Sequence, residues 1–400
     1  MRKDTMWRRA WVEIDIGALQ DNFLAVRRTI ASSCKLCCVV KANAYGHGAV
    51  VVASLYERLG ADFLAVSNIE EALELRFGGI TLPILILGYT APESAMMLAA
   101  NNISQCVFSL DYAEALSREA KKANVTVKIH VKLDSGMGRI GFPVRDGAQF
   151  EKNIDEIVTA LSLDNLCREG IFTHFAKSDM GDEGDEFTKR QFDRFQAAIE
   201  ALKTRGYTFL IRHAANSAAI LDHPDTCLDM VRAGIVLYGY APSGDVRRSL
   251  SLRPALSLKT VIDMVKVMEV GESVSYGGRF VASEPTTIAT VPIGYADGLW
   301  RGMGDLGLYP VVKGQKTALV GRICMDQCML NLTNAENACV GDTVTVYGTG
   351  GESIEALALR CGTIPYELIC ALGERLPRVY FENGEIVAIK DRILPAGYSL

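Results

Sequence analysis

The sequence predicts an α/β protein in two parts. An N-terminal (β/α)8 TIM barrel covers residues 11–245, and a mainly β C-terminal domain covers 246–400, with residues 1–10 packing beside the latter. Three observations carry this expectation. Short β-branched apolar runs alternate about eight times with stretches of helical period, the mark of parallel strands joined by helices. From about residue 246 that period fades, and short alternating runs punctuated by glycine replace it. The length, 400 residues, exceeds one ordinary domain and suits two.

In chain order, the barrel strands are expected at "LCCVV" (36–40), "FLAV" (63–66), "ILIL" (84–87), "QCVF" (105–108), "TVKIHVKL" (126–133), "REGIFTHF" (168–175), "FLIRHA" (209–214) and "LDMVRAG" (228–234). Helical stretches lie between them, among them "IEEALELRF" and "DYAEALSREAKKA". A third, "EFTKRQFDRFQAAIEALKTRG", closes on a glycine at the C-terminal cap position. The β domain follows a boundary near 243–250 with "TTIATVPIGYADG", "YPVVKGQKTALVGRICMDQCMLNL" and "GDTVTVYG". One late helical stretch, "PYELICALGERLPRVY", is expected there.

Composition narrows the function classes. Hydrophobic residues make up 49% of the chain and charged residues 22%, enough to bury a large core. A net charge of -5 without a lysine/arginine cluster offers no footprint for nucleic acid. The basic start is broken by acidic residues and no apolar stretch follows, so no signal peptide is expected. The longest apolar runs fall short of a membrane span, and a cytoplasmic protein is expected. Eleven cysteines, an odd number, argue against a disulfide framework. Cys34-x2-Cys37 and Cys324-x3-Cys328 could each supply two zinc ligands, but they lie far apart and no histidine pair completes either. No metal is expected, and reduced cysteines filling a core is the preferred reading.

Barrel chemistry sits at the C-terminal ends of the strands. Lys41 ends the first strand, inside "CCVVKANAYGHG". Lys132, Asp134 and Arg139 follow the fifth, His174 the sixth, His213, Asn216 and Ser217 the seventh, and Arg232, Gly234 and Ile235 the eighth. A lysine facing an arginine, a histidine, a serine and glycine-bearing turns suits an anionic, planar cofactor. Main-chain N–H groups near Ser217 and Gly234–Ile235 could cradle a phosphate. Lys41 could then hold an aldehyde as a Schiff base. The combination points to pyridoxal 5'-phosphate (PLP).

Nine motifs now stand in order: "VVKANAYGHG" (39–48), "VKLDSGMGRIGF" (131–142), "THFAKSD" (173–179), "ANS" (215–217), "VRAGIVLYG" (231–239), "VSYGG" (274–278), "IGYADG" (293–298), "GRICMDQ" (321–327) and "RLPRVY" (375–380). With them the chain resembles the alanine racemase family, fold-type III PLP enzymes, over essentially its full length. The resemblance implies interconversion of L- and D-alanine by two bases. Lys41 would hold PLP and act on one face of the substrate; Tyr276, from the partner subunit, would act on the other. Tyr45, Ser217, Gly234, Ile235 and Tyr380 would bind the phosphate, with Asn216 among the cofactor-binding residues. Arg232 would face the pyridine nitrogen, and His174 would link it towards Tyr276. Arg139 would contact the phenolic oxygen and the substrate, positioned by a carbamylated Lys132. The main chain at Met325 would take the substrate carboxylate. Asp179, Tyr295, Arg301 and Asp326 would line the corridor to the site. A head-to-tail homodimer with shared active sites and a role in D-alanine biosynthesis for peptidoglycan precursors are also implied.

The physical logic agrees. Racemisation removes an α-proton from one face and returns one to the other, which two opposed bases do economically. A lysine works as a base only if its pKa falls, through desolvation and nearby cations. An arginine at the pyridine nitrogen cannot release its proton to the ring, which weakens the electron sink and favours quick reprotonation.

Rival readings remain. The pattern G-x-G-x-x-G occurs at "GMGRIG" (136–141) and again at "GMGDLG" (302–307), the latter with no helix behind it, so it is weak support for a dinucleotide enzyme. A racemase of another small amino acid such as serine, or a PLP-dependent decarboxylase of the same fold, shares the barrel. Family members that prefer serine differ at the position matching Tyr380, so the resemblance implies alanine over serine. His47, His130 and His223 are read as structural or surface histidines.

Overall fold

The computed structural model describes residues 9–393 and divides into two compact units. One comprises residues 20–44 and 49–252. The other gathers residues 9–19, residues 45–48 and residues 253–393; residues 1–8, most of the segment expected to pack beside the β domain, lie outside the described residues.

The first unit is a nearly closed barrel of eight parallel strands. In chain order they are Lys35–Val39, Phe63–Val66, Ile84–Ile86, Ile103–Val107, Val127–Asp134, Leu166–Phe172, Ile211–His213 and Met230–Ala233. The first seven pair in sequence order, and the eighth pairs with the first, leaving the seventh and eighth without a ladder between them. The seventh and eighth approach through Asp229 N to Arg212 O (3.0 Å) and Arg232 N to Ala215 O (3.0 Å). All eight apolar runs of the sequence thus contribute barrel strands, with ends that differ from the expected ones by up to three residues in either direction. They are buried almost throughout, because strands covered on both faces need apolar side chains on both.

Helices connect the strands, and their starts are set locally. Asn68 caps Ile69–Phe77 by accepting from Glu71 N, and Ser109 caps Leu110–Lys122 by accepting from Tyr112 N. No helix of the described residues is long and apolar enough to cross a membrane.

The second unit is built on a seven-stranded sheet. Its order is Gln315–Lys316, Val311–Val312, Thr343–Gly348, Leu256–Val261, Ala10–Asp15, Arg378–Glu382 and Glu385–Lys390. Ala10–Asp15, which the sequence reading draws mostly within the barrel range, pairs antiparallel with Leu256–Val261 and parallel with Arg378–Glu382. A four-stranded sheet (Met264–Met268, Thr286–Val291, Cys328–Asn331, Ala318–Val320) and a short hairpin (Ser273–Val274 with Phe280–Val281) complete it. Met268, Val274, Ala282, Ile288, Val320 and Met329 form a core between them.

The late helix is shorter than expected. It spans Pro365–Cys370, and "RLPRVY" enters a strand instead. Pro377 cannot donate to a helix, and the buried Arg378 gathers the carbonyls of Gly46, Leu372, Gly373 and Leu376 at 2.7–3.0 Å. A second short helix, Ile354–Arg360, was not expected from the sequence.

Candidate active site

Lys41 stands two residues beyond the end of the first barrel strand, Lys35–Val39, and the backbone after it is unusual. Ala42, Asn43, Ala44 and Tyr45 all have φ of 52–54°, one turn of left-handed helix closed by Ala44 N to Val40 O at 2.9 Å. L-residues avoid this region at about 1–2 kcal/mol each, so the surroundings must over-determine it. Within the barrel unit, Ala42 N donates to Glu71 Oε1 (2.6 Å) and Ala49 N donates to Asn43 Oδ1 (2.8 Å).

Residues 45–48, which complete the motif, belong to the second unit. There Tyr45 is buried beside Tyr366, with ring centroids 5.8 Å apart, and His47 is buried with Nδ1 2.9 Å from Tyr45 O. Tyr380 Oη donates to His47 O at 3.0 Å. A Cβ on Gly48, whose φ is +96°, would lie 1.8 Å from that hydroxyl, so only glycine fits.

At the barrel's C-terminal end, Arg232 organises a polar cluster. It is buried, and its Nη2 donates to the carbonyls of Thr173 (2.9 Å) and Ala214 (3.1 Å) and lies 3.2 Å from His174 Nδ1. Its Nη1 lies 3.0 Å from His213 Nδ1. Desolvation draws the guanidinium down to about 10, so it stays charged at neutral pH.

Because an arginine only donates, these contacts fix the histidine tautomers. His174 and His213 must each accept at Nδ1 and carry their proton on Nε2. His213 Nε2 then donates to His130 Nδ1 at 2.8 Å, and His130 Nε2 donates to Glu169 Oε2 at 3.1 Å. Ser104 Oγ also donates to that oxygen. Burial, then the charge of Arg232, holds His174 and His213 well below the ordinary histidine value; burial also lowers His130. Partial burial pushes Glu169 up, but the hydrogen bonds of His130 and Ser104 bring it down to about 2. The result is a directed chain from Arg232 through two neutral imidazoles to a carboxylate. His213 is visible in the sequence as a strand-end polar residue. His130, which it reaches, is read from the sequence as a structural or surface histidine and is buried here, whereas Glu169 was not singled out: each is an isolated polar residue until the neighbouring strand is known.

Lys132 is buried with Nζ lacking a hydrogen-bond partner, 4.8 Å above the Phe172 ring. Desolvation, then the charge of Arg232, places it well below the ordinary lysine value. Asp134, two residues further along the same strand, grips the loop that carries Arg139. Its carboxylate accepts from Gly136 N and Gly138 N at 3.0–3.1 Å, and Arg139 is exposed. The glycines of "GMGRIG" therefore serve an internal carboxylate, not a dinucleotide.

Asn216 and Ser217 open the helix Ser217–Asp222. The Asn216 side chain caps it, accepting from Ala219 N (3.0 Å) and Ser178 Oγ (3.1 Å). Ser217 Oγ accepts from Gly234 N at 2.8 Å, which leaves its own hydrogen to donate. Ile235 begins the following short 3-10 helix, Ile235–Tyr238. Asp179 is partly exposed, and its carbonyl accepts from Ser243 Oγ.

The remaining expected residues lie in the second unit. Tyr276 is 66% exposed, at the tip of the short hairpin. The hairpin is tied down by Ser275 Oγ donating to Arg322 O at 2.7 Å. A cleft there is lined by Ser275, Tyr276, Cys324 and Gln327 among others. "IGYADG" and "GRICMDQ" interlock: Tyr295 N donates to Cys324 O and Ala296 N to Met325 O, each at 3.0 Å. A Cβ on Gly294 would fall within 2.5 Å of that backbone. Tyr295, Met325 and Asp326 are thereby brought together, all exposed, and Arg301 is also exposed. Asp326 Oδ1 accepts from Arg375 (2.9 Å), which also reaches the buried Asp297. Among the described residues, no group of three His, Cys, Asp or Glu side chains is placed to hold a metal ion.

Comparison with known proteins follows this division. Residues 14–242 match the family model "Alanine racemase, N-terminal domain", and residues 255–380 match "Alanine racemase, C-terminal domain". An alanine racemase of Desulfovibrio desulfuricans is 44% identical, covering 94% of this chain and 99% of its own. One of Methanococcus maripaludis is 43% identical over 92% of this chain and 98% of its own. Among solved structures, alanine racemase of Clostridium difficile 630 superposes with a TM-score of 0.91 at 42% identity, covering 96% of this chain and 99% of that one. That of Bacillus anthracis, solved with bound L-Ala-P, gives 0.90 at 35% identity over 97% and 99%. A barrel with a lysine at its first strand end, a β unit bearing the "VSYGG" tyrosine, and matches along both units lead to one conclusion: the chain belongs to the alanine racemase family of enzymes.

Proposed function

We propose that the protein interconverts L- and D-alanine with PLP held at the C-terminal end of the barrel, Lys41 and Tyr276 acting as the two bases. The observation that carries the reading is Arg232. Its buried guanidinium is fixed by two carbonyls and two imidazoles that can only accept from it. Its Nε–H and second Nη1 hydrogen have no acceptor among the described residues, which suits a neutral pyridine nitrogen.

When bound, PLP supplies the electron sink that makes the substrate's α-proton acidic. The chain's residues do the rest. Lys41 Nζ carries a proton to and from one face. Tyr276 Oη, contributed by the partner subunit of a head-to-tail homodimer, does so on the other, and its exposure on an isolated chain supports that assignment. Arg232 stays protonated throughout and so does not deepen the sink. His174, neutral with its proton on Nε2, presents a donor rather than a second positive charge. Tyr45, Ser217, Gly234 and Ile235 hold the phosphate together with Tyr380, whose hydroxyl exchanges its bond to His47 O for one to the phosphate, and Asn216 fixes the helix start that presents Ser217. Arg139 meets the phenolic oxygen and the substrate, the Met325 main chain meets the carboxylate, and Asp179, Tyr295, Arg301 and Asp326 line the corridor. The buried Lys132 amine, without a hydrogen-bond partner and held well below the ordinary lysine value, is suited to lose its proton and add carbon dioxide, releasing a second proton and giving a carbamate that accepts from Arg139. In a cytoplasmic setting the product D-alanine would supply peptidoglycan precursors.

Proton NMR of each alanine enantiomer with the protein and PLP in heavy water tests this. The α-proton should vanish from both, with the opposite enantiomer appearing. Tyr276→Phe should abolish interconversion while one enantiomer still exchanges. Exchange of both enantiomers in that variant would refute the two-base assignment. A monomer by sedimentation that still racemises alanine would remove the shared site.

A further inference from the structure

Glu71 stands outside every motif above, yet both of its carboxylate oxygens are committed to main-chain N–H groups at two barrel strand ends. Oε1 accepts from Ala42 N at 2.6 Å, the amide immediately after Lys41. Oε2 accepts from Ser67 N at 2.7 Å, just beyond the second strand, Phe63–Val66. Glu71 is itself held. It lies in the first turn of the helix Ile69–Phe77, and its own N–H donates to the capping Asn68 Oδ1 at 2.9 Å. A carboxylate there is favoured by the helix dipole, and hydrogen bonds to an ionised acceptor are about twice as strong as neutral ones.

We propose that Glu71 is a positioning residue for Lys41. The inference rests on the reading above that Lys41 is the cofactor-holding lysine. The left-handed turn 42–45 begins at the amide that Glu71 grips, and nothing in the side chains of Ala42 or Ala44 favours it. Bridging that amide to the second strand end references the Lys41 backbone to the barrel wall. A lysine that must serve both as the attachment point and as a base needs its Cα fixed while Nζ moves; a carboxylate on the next amide does that without touching substrate or cofactor. Small displacements of a reacting group cost large factors in rate.

The test uses Glu71→Gln, which keeps shape but has one acceptor oxygen for two N–H groups. Hydrogen exchange read on peptides covering 40–46 and 63–69, with and without PLP, should rise at the Ala42 or Ser67 amide in the variant and nowhere else. The kcat for alanine should fall about tenfold or more while KM changes little. A merely structural role would lower the unfolding temperature but leave kcat of the folded protein unchanged. If Glu71→Gln yields no folded protein, Glu71→Asp takes its place, with the charge retained and the reach shortened by one methylene. Unchanged exchange and unchanged kcat in a folded variant would overturn the proposal. Borohydride reduction of the unmutated holoenzyme, followed by peptide mapping, separates the two claims. A label away from Lys41 would defeat the functional reading, whereas a label on Lys41 with a fully active Glu71→Gln would defeat only the positioning role.

Discussion

Acid should unfold this protein through its barrel histidines. His174 and His213 each face the charged Arg232 with Nδ1, so protonating either places two donors against each other. Burial and that charge hold both well below the ordinary value, and burial lowers His130 too. The sign follows directly. Below about pH 6.5 the unfolded chain binds a proton on each imidazole that the folded chain refuses, so stability falls as pH falls. Each fully refused proton amounts to about 1.4 kcal/mol per pH unit below 6.5. With the two histidines that face Arg232, complete refusal down to pH 5 sets a ceiling of about 4 kcal/mol on the loss between pH 7.5 and pH 5. That ceiling approaches the lower end of the whole stability of many proteins, about 5–15 kcal/mol. Denaturant midpoints at pH 7.5, 6 and 5, at a fixed excess of PLP, measure it. His213→Gln is the control: its amide can accept from Arg232 and donate to His130, keeping the polarity while removing one titrating group, so the slope should drop by about one proton. A slope below one proton in the parent chain, or an unaltered slope in His213→Gln, would refute the reasoning.

Glu169 governs a separate window. Held at about 2, it contributes stability that is complete above about pH 4.5 and is lost as pH falls from there towards 2. Glu169→Gln should flatten near-ultraviolet circular dichroism across that range. Asp297 is fully buried and accepts from Arg9, Arg375 and Gly294 N at 2.7–3.2 Å. Asp297→Asn should cost about 3–5 kcal/mol, read as a lower denaturant midpoint. Gly48→Ala meets both a positive φ and the Tyr380 hydroxyl, so it should break the Tyr380–His47 bond and cost about 2–4 kcal/mol. Fluorescence titration should also show weaker PLP binding; unchanged binding would argue against Tyr380 as a phosphate ligand.

The barrel was legible because its strands are short, apolar on both faces and separated by capped helices, a rhythm that no interface is needed to read. Ala10–Asp15 was not placed by that rhythm. An apolar run declares that it is a strand, not which sheet it joins, and its partners begin at Leu256 and Arg378. In "PYELICALGERLPRVY" the helical spacing outran the helix, because Pro377 and the carbonyls gathered by Arg378 turn the chain back into a strand. Lys41, His174, Ser217 and Arg232 were singled out because a barrel puts chemistry at its strand ends, and the structure places all four at or just beyond those ends. Glu71 escaped because it looks like any acidic residue in a helix's first turn. His130 was read only as a structural or surface histidine, because its partners, His213 and Glu169, lie on other strands.

The place of Ala10–Asp15 in the middle of the seven-stranded sheet has a consequence for biosynthesis. This strand leaves the ribosome about 240 residues before its first partner, Leu256–Val261, so at about 5–20 residues per second both of its edges wait unpaired for roughly 12–48 s. For that interval "AWVEID" is a bare template for foreign strands. A fragment starting at residue 246 faces the opposite shortage, lacking the strand that joins Leu256–Val261 to Arg378–Glu382. The nascent chain therefore has most need of a holding chaperone at its first strand, long before the second unit exists to receive it.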